Sequence, residues 1–473
     1  MPEFHMFKFT SMLAVELLVL FTAAINLLGS SARAEDPAPN SASGEQAVFN
    51  VSTLQGFNGS VIHEIRIHGL KWTKDRAVRM LLSQHEGDTF DAETWLKGIH
   101  KLYDTTVLYD VRTIIQPLES GSATRAANNA ETPSKIILID MTIRDRWTLL
   151  PFGIAQAGGG SDNVGAGIAD VNFLGYFTQV AASYSTFNGT GSYDFNLYQE
   201  FILDTEFIGG LDISETGTPV DLQKNDGTSI GSFTWQRHQD QLLFGRKFEP
   251  KIRLFSYFEY FQDEMVSNMQ APEVKVYSGG QYRVRPVLIV GRSELTNFLE
   301  EGSEFTLAPT SANFFAPNEY SQFVMTYKKV FLRQNTNYAF FFNGGAMTHA
   351  PIPYLFRLGG YDTVRGFSTN RAIGRYYLNA NLEYRAYIAR YYSWLTGDIV
   401  FQSCIFQDMA QMWNSADLQQ SRRVNSSLGL LSDGIGMRFN FQRFAGAILR
   451  LDFARTVIPN EGWGVAFGVG QFF

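Results

Sequence analysis

Between residues 376 and 388 the chain reads YYLNANLEYRAYI. Tyrosine, leucine and isoleucine recur there, with asparagine, glutamate and arginine set among them. Alternation of this kind turns one face of a strand toward an apolar phase and the other toward water. The same texture returns in YSTFNGTGSYDFNLYQEF (184–201), KIRLFSYFEYFQ (251–262), YAFFFNGGAM (338–347) and GWGVAFGVGQFF (462–473). A soluble β-sandwich also alternates, but its core draws mainly on valine, isoleucine and leucine. Here phenylalanine and tyrosine dominate units of about ten residues, the length of a strand that crosses a bilayer. At roughly 20 residues per strand and turn, the span 146–473 holds 16 strands, an even number as bacterial barrels require. The expected fold is a transmembrane β-barrel of 16 antiparallel strands. Its closure is a physical necessity, because an open edge in lipid strands unpaired backbone groups.

Composition agrees. Aromatics make up 14% of the 473 residues, while charged residues make up 18%, below the roughly 25% of ordinary soluble domains. A mean hydropathy of −0.11 excludes a bundle of membrane helices, which needs several apolar runs of about 20 residues. The net charge of −7 leaves no electrostatic footprint for nucleic acid. Cys404 is the single cysteine, so neither an internal disulfide nor a cysteine metal cluster can form. The seven histidines show no metal-ligand spacing, and no metal site or cofactor is expected. The glycines at 158–160, 165 and 167 are not flanked by the strand and helix of a phosphate loop. No nucleophile–base set stands out, and the reading is of a protein that is not an enzyme.

The N-terminal third reads differently. Lys8, an apolar stretch from Met12 to Leu28 and Ala32-Arg33-Ala34 form an export signal with cleavage after Ala34 (1–34). Residues 35–59, rich in Pro, Ser, Ala, Asn and Gly, read as a flexible tether. Across 60–145 the periods point to a small β-α-α-β-β domain. VIHEIRIHGL (61–70) puts Val61, Ile65 and Ile67 on one side of a strand. Thr73 is the expected cap of a helix whose Val78, Leu81 and Leu82 share a face. Asp91 caps a second, with Trp95, Ile99 and Leu102 in a stripe. VLYDVRTII (107–115) and KIILIDMTIRD (135–145) supply two further strands, separated by a polar insertion at 119–134.

One polar stretch interrupts the barrel pattern: RLGGYDTVRGFSTNR, residues 357–371. With Gly359 and Gly360 and the tetrad Val364-Arg365-Gly366-Phe367, it closely resembles the hallmark of the BamA/TamA/TpsB superfamily of outer-membrane assembly and translocation proteins, the bacterial surface antigens among them. ADVNFLGYF (169–177), NLEYR (381–385), FQDMAQMW (406–413), DGIGMRFNF (433–441) and RLDFA (450–454) resemble further segments of that superfamily, in the same order. The resemblance implies that the motif lies on the long loop after the eleventh strand and folds back into the barrel. Five strands then follow, near 375–388, 394–409, 427–440, 444–456 and 462–473. It also implies that the loop arginine, Arg365, is latched by lumen carboxylates at the matching positions Asp408 and Glu383.

By the same resemblance the β-α-α-β-β domain is a periplasmic POTRA module, and the ending FGVGQFF with Phe473 is an outer-membrane signal, although Gln471 stands where an apolar residue is usual. The implied function is insertion or translocation of β-barrel or surface proteins. A client strand adds at a labile seam between the first strand (about Arg146–Ala155) and the last (about Gly462–Phe473), where Gly464, Gly468 and Gly470 weaken the pairing. The implied partners are unfolded outer-membrane or secreted clients, outer-membrane lipids, and periplasmic chaperones or accessory lipoproteins. One module is fewer than the five of BamA, the three of TamA or the two of secretion transporters, which leaves a compact insertase or a secretion pore for a dedicated partner. A passive structural barrel is the third reading.

Overall fold

The computed structural model describes residues 54–105, 107–118, 136–145, 148–158, 161–200, 202, 205–223, 229–249, 251–267, 278–296, 299–312, 320–348, 350, 354–393, 397–413, 427–441 and 447–469. The export signal, most of the tether, the insertion at 119–134, and Gly470 and Phe473 lie outside the described residues.

The N-terminal unit follows the expected order: β1 (Val61–His68), α1 (Asp75–Leu81), α2 (Ala92–Asp104), β2 (Leu108–Leu118) and β3 (Ile136–Asp145). β3 lies centrally, parallel to β1 and antiparallel to β2. Ile137, Ile139, Met141 and Ile143 of β3 are fully buried, along with Val78, Trp95 and Leu102 from the helices. The Asp91 carboxylate accepts the Thr94 backbone N–H at 2.8 Å and so caps α2.

Three details depart from expectation. The buried residues of β1 are Ile62 and Ile65 rather than Val61 and Ile67, because the register shifts between Ile62 and Glu64. Such a bulge inverts the alternation. Thr73 does not cap α1; Lys74 holds that position with no side-chain hydrogen bond. Residues 54–59 belong to the packed unit instead of the tether. Leu54 is buried, Gly59 N–H donates to Phe90 O, and the Asn58 amide oxygen accepts from Ala92 N.

The rest is a closed barrel of sixteen strands. In chain order they are β4 (Leu149–Gly158), β5 (Ser161–Phe173), β6 (Thr178–Phe187), β7 (Thr190–Glu200), β8 (Phe207–Gln223), β9 (Ser229–Glu249), β10 (Ile252–Ser267) and β11 (Ser278–Thr296). Next come β12 (Leu299–Ala312), β13 (Tyr320–Arg333) and β14 (Thr336–Met347). A two-stranded inner hairpin, β15 (Phe356–Leu358) with β16 (Ala372–Gly374), precedes the last five: β17 (Tyr376–Ser393), β18 (Gly397–Trp413), β19 (Ser427–Phe441), β20 (Ala447–Ile458) and β21 (Trp463–Val469). The first strand starts later than the expected Arg146, which itself lies outside the described residues.

The barrel is built inside out. On β17, Tyr376, Leu378, Leu382 and Tyr384 are exposed outward, while Asn379, Asn381, Glu383 and Arg385 are buried in the interior. Ile405 and Met409 on β18 and Ile435 and Met437 on β19 continue the outer apolar surface. An outward apolar surface of this kind suits lipid. No helix among the described residues is long and apolar enough to cross a membrane.

Candidate functional site

The loop between β14 and β17 turns inward. Gly359, Gly360 and Gly366 all hold positive φ, at 109°, 91° and 91°, a region that costs other residues strain. The turn they make delivers Val364, Arg365 and Phe367 to the interior, where none of the three is exposed. Val364 and Phe367 pack with Leu358, Ala372, Ala410, Met412 and Leu430. This apolar setting shields the charge between them.

Both expected partners meet Arg365. Its Nε and Nη2 each donate to the Asp408 carboxylate at 2.8 Å, and its Nη1 donates to Glu383 Oε1 at 2.6 Å. Three further residues complete the set. Asp452 on β20 accepts from Arg365 Nη1 at 3.2 Å and from Arg438 Nη1 at 2.5 Å. Arg438 also reaches Glu383 Oε1 at 3.3 Å, and Arg385 Nε donates to Glu383 Oε2 at 2.7 Å. Three guanidiniums thus face three carboxylates, all buried, so the cluster carries no net charge into the low-dielectric interior. The Arg365 guanidinium also lies 3.5 Å from the centroid of the Phe406 ring, adding a cation–π contact.

Asp452, Arg438 and Arg385 were missed as site residues, although they sit within RLDFA, DGIGMRFNF and NLEYR. The signal that finds them is parity. In the antiparallel register, Glu383 faces Phe406, Gly436 faces Asp452, and Arg438 faces Arg450, all on the inner surface. Gly436 makes room: a Cβ there would stand 2.1 Å from Asp452 Oδ1.

The loop also touches both sides of the β21–β4 junction that closes the ring. Among the described residues, β21 and β4 pair at one position, Phe467 with Ala157, whereas every other neighbouring pair in the barrel matches seven or more. On the β4 side, Tyr361 OH donates to Gln156 Oε1 at 2.5 Å, and Ser161 and Thr369 hydroxyls meet at 2.6 Å. On the β21 side, Arg371 Nε donates to Glu461 at 2.7 Å and Arg450 Nη2 to Tyr361 O at 3.0 Å. Gly464 backs directly onto Gly366; a Cβ on Gly464 would lie 2.8 Å from Gly366 Cα. Gly468 faces the Arg450 side chain, with Nε 3.1 Å from where a Cβ would stand. Both glycines therefore have a packing reason of their own.

At the other end of the barrel, the turn between β5 and β6 meets the N-terminal unit. Asn172 is buried, accepts from Phe177 N at 2.8 Å and donates to Thr73 Oγ1 at 2.9 Å. Lys74 N–H donates to Gly175 O at 3.0 Å. Within the N-terminal unit, the Asp145 carboxylate holds the segment between β1 and α1 through the N–H groups of Lys71, Trp72 and Thr73, at 3.1, 2.7 and 2.7 Å. Burial opposes ionisation of Asp145, but these N–H donors outweigh it and hold its pKa below the ordinary carboxylate value.

No protein-family model matches the sequence, and no curated protein matches it significantly. Solved structures do. BamA from Haemophilus ducreyi lacking POTRA domains 1–3 superposes with a TM-score of 0.61 at 15% identity, over 87% of this chain and 85% of that one. CdiB from Escherichia coli gives 0.62 at 11% identity, over 87% and 76%. CdiB from Acinetobacter baumannii gives 0.58 at 15%, over 87% and 73%. With sixteen strands in a closed ring and an inward loop after the eleventh, the chain has the fold of the BamA and CdiB barrels.

Proposed function

We propose that this chain is an outer-membrane insertase or translocase of the BamA/TamA/TpsB superfamily, with its N-terminal α/β unit (60–145) a periplasmic POTRA module. The observation that carries the reading is the β21–β4 junction, paired at one described position and bridged from inside by the loop that bears Arg365. Backbone groups left unpaired in lipid cost several kcal/mol each. An under-paired edge is therefore a site where an incoming strand gains more than it does at a complete ladder. A client strand adds to β4, its N–H and C=O groups are satisfied as it enters, and the next strand follows on the newly formed edge. Arg365 and its carboxylates latch the loop, which keeps the ring in shape while the junction opens. The partners are unfolded outer-membrane or secreted proteins and the surrounding lipid, with periplasmic chaperones or accessory lipoproteins delivering the client. The chemistry is strand exchange, and no cofactor or metal takes part in it.

The test is reconstitution of the purified chain in liposomes with an unfolded barrel client, following the client's acquisition of protease resistance. Faster insertion than in empty liposomes is expected; equal rates with several clients overturn the reading. A secretion pore for one dedicated partner is the second reading, favoured by a fold as close to CdiB as to BamA. Export of a single partner with no gain in client insertion selects it.

A further inference from the structure

The inward loop has a second buried contact, on the far wall of the barrel. In ring order, β18 with Asp408 stands six strands from β10, and β20 with Asp452 stands eight, half of the circumference. On β10, Asp263 is fully buried, with donors from four described residues around it. Trp235 Nε1 and Arg237 Nε each donate to Oδ1 at 2.8 Å, Gln281 Nε2 reaches Oδ2 at 3.4 Å, and Tyr354 OH donates to Oδ2 at 2.5 Å. The first three donors belong to the wall strands β9 and β11; Tyr354 belongs to the loop. Its ring stacks on Tyr320 at a centroid distance of 5.5 Å and meets Trp235 edge-on at 6.3 Å. Arg357, also from the loop, lies 4.6 Å from the Trp235 ring centroid. Val220, Phe233, Met265 and Leu355 seal the contact with apolar surface. The segment 354–365 therefore runs from one wall to the other, held at each end by a buried carboxylate.

We propose that Asp263 is a second anchor of the loop, independent of the Arg365 cluster, and that the Tyr354–Asp263 bond governs ion passage through the lumen. The two anchors divide the work physically. The Arg365 end grips strands β17, β18 and β20 and, through the adjoining residues, the junction. The Tyr354 end grips the wall that the loop must leave for the lumen to widen. At the carboxylate itself the loop contributes the Tyr354 phenol and the wall contributes the other donors described, so this bond is releasable without unpairing any barrel strand. When Tyr354 leaves, Asp263 keeps Arg237 and Trp235, so no buried charge is abandoned.

The test is single-channel recording of the full chain in planar bilayers. Tyr354→Phe keeps the ring and its stacking and removes only the hydroxyl. It is expected to raise the open probability about fivefold, the population shift that one net hydrogen bond supplies. Asp263→Asn is expected to raise it further, and Asp263→Glu to stay nearer the parent. Heat-modifiable migration of Tyr354→Phe should match the parent, which separates gating from misfolding. If Tyr354→Phe folds and conducts as the parent does, the proposal is wrong, whatever Asp263→Asn does. No client enters this experiment, so failure of the insertase reading leaves it standing.

Discussion

Arg365 and Asp408 meet fork to fork, with two side-chain bonds of 2.8 Å and a third from the Arg365 backbone N–H to Oδ2 at 3.1 Å. Three bonds between one loop residue and one wall residue fix both the position and the orientation of the loop. Asp408 is held in turn by Asn381 Nδ2 at 2.9 Å, and Asn381 also binds Thr363 O of the loop at 2.8 Å.

Asp408→Ala leaves Arg365 buried with fewer partners, and breaking a buried pair on one side costs about 3–5 kcal/mol. Arg365→Lys cannot reproduce the two-pronged contact and is expected to fall between Asp408→Ala and the parent. The temperature at which heat-modifiable migration is lost should drop in the order parent, Arg365→Lys, Asp408→Ala. Parent-like migration in both variants contradicts the latch.

Steric crowding gives a second prediction, at Gly464. An added Cβ would press on Gly366 Cα at 2.8 Å, and overpacking of this kind costs about 1–3 kcal/mol. Gly464→Val is expected to push the loop from β21 and to raise protease cleavage within 359–371 in intact proteoliposomes. Gly153→Ala, where a Cβ meets nothing within 4 Å, is the control that should leave cleavage unchanged.

Locking the junction tests its opening directly. Phe467 and Ala157 face each other, and opposed antiparallel residues lie about 4.5–5.5 Å apart at Cα, within disulfide reach. Phe467→Cys with Ala157→Cys is expected to form a disulfide and to abolish client insertion, with recovery on reduction. Cys404 is buried and should not compete. Full insertion by the oxidised protein excludes a mechanism through this junction.

Acidification should loosen the segment 71–73, which leads into the contact with the β5–β6 turn. The Asp145 pKa is lowered in the fold, so its stabilising effect is complete above the unfolded value of about 3.9 and is lost as pH falls through the lower folded value. Hydrogen exchange at the N–H groups of 71–73 should therefore accelerate below about pH 4. In Asp145→Asn it should already be fast at neutral pH, because a neutral amide with one acceptor oxygen cannot hold the three N–H groups that the carboxylate holds. Slow exchange in Asp145→Asn at pH 7 contradicts this account.

Much of the architecture was legible in local pattern. The alternation in 376–388 is the inside-out wall of β17, and the apolar stripe of Trp95, Ile99 and Leu102 is the buried face of α2. Glu383 and Asp408 could be picked because each sits in a short segment whose likeness to a family extends to a charged position. Asp452, Arg438 and Arg385 were present in similar segments but carried no mark of their role. A charge on an inner face meets its partner only after register sets which inner residues share a level. Thr73 was misread for a related reason. A threonine before a helix has a local use as a cap, and here a contact with Asn172, 99 residues away, takes its hydroxyl instead.

The sequence by itself determined what each segment can be: strands with one lipid-compatible and one polar face, a loop that turns on glycines, and a small unit with its own apolar core. Those are consequences of side-chain period and backbone freedom, which act over a few residues. Only the closed ring decided what meets what. Sixteen strands in register bring Asp408, Glu383 and Asp452 to one side of the lumen and Asp263 to the other, with β4 beside β21 and the loop between them. These pairings join residues as far apart as Ala157 and Phe467, at the two ends of the barrel's chain, and Ser161 with Thr369, 208 positions apart. No local period encodes such a distance; the geometry of closure does.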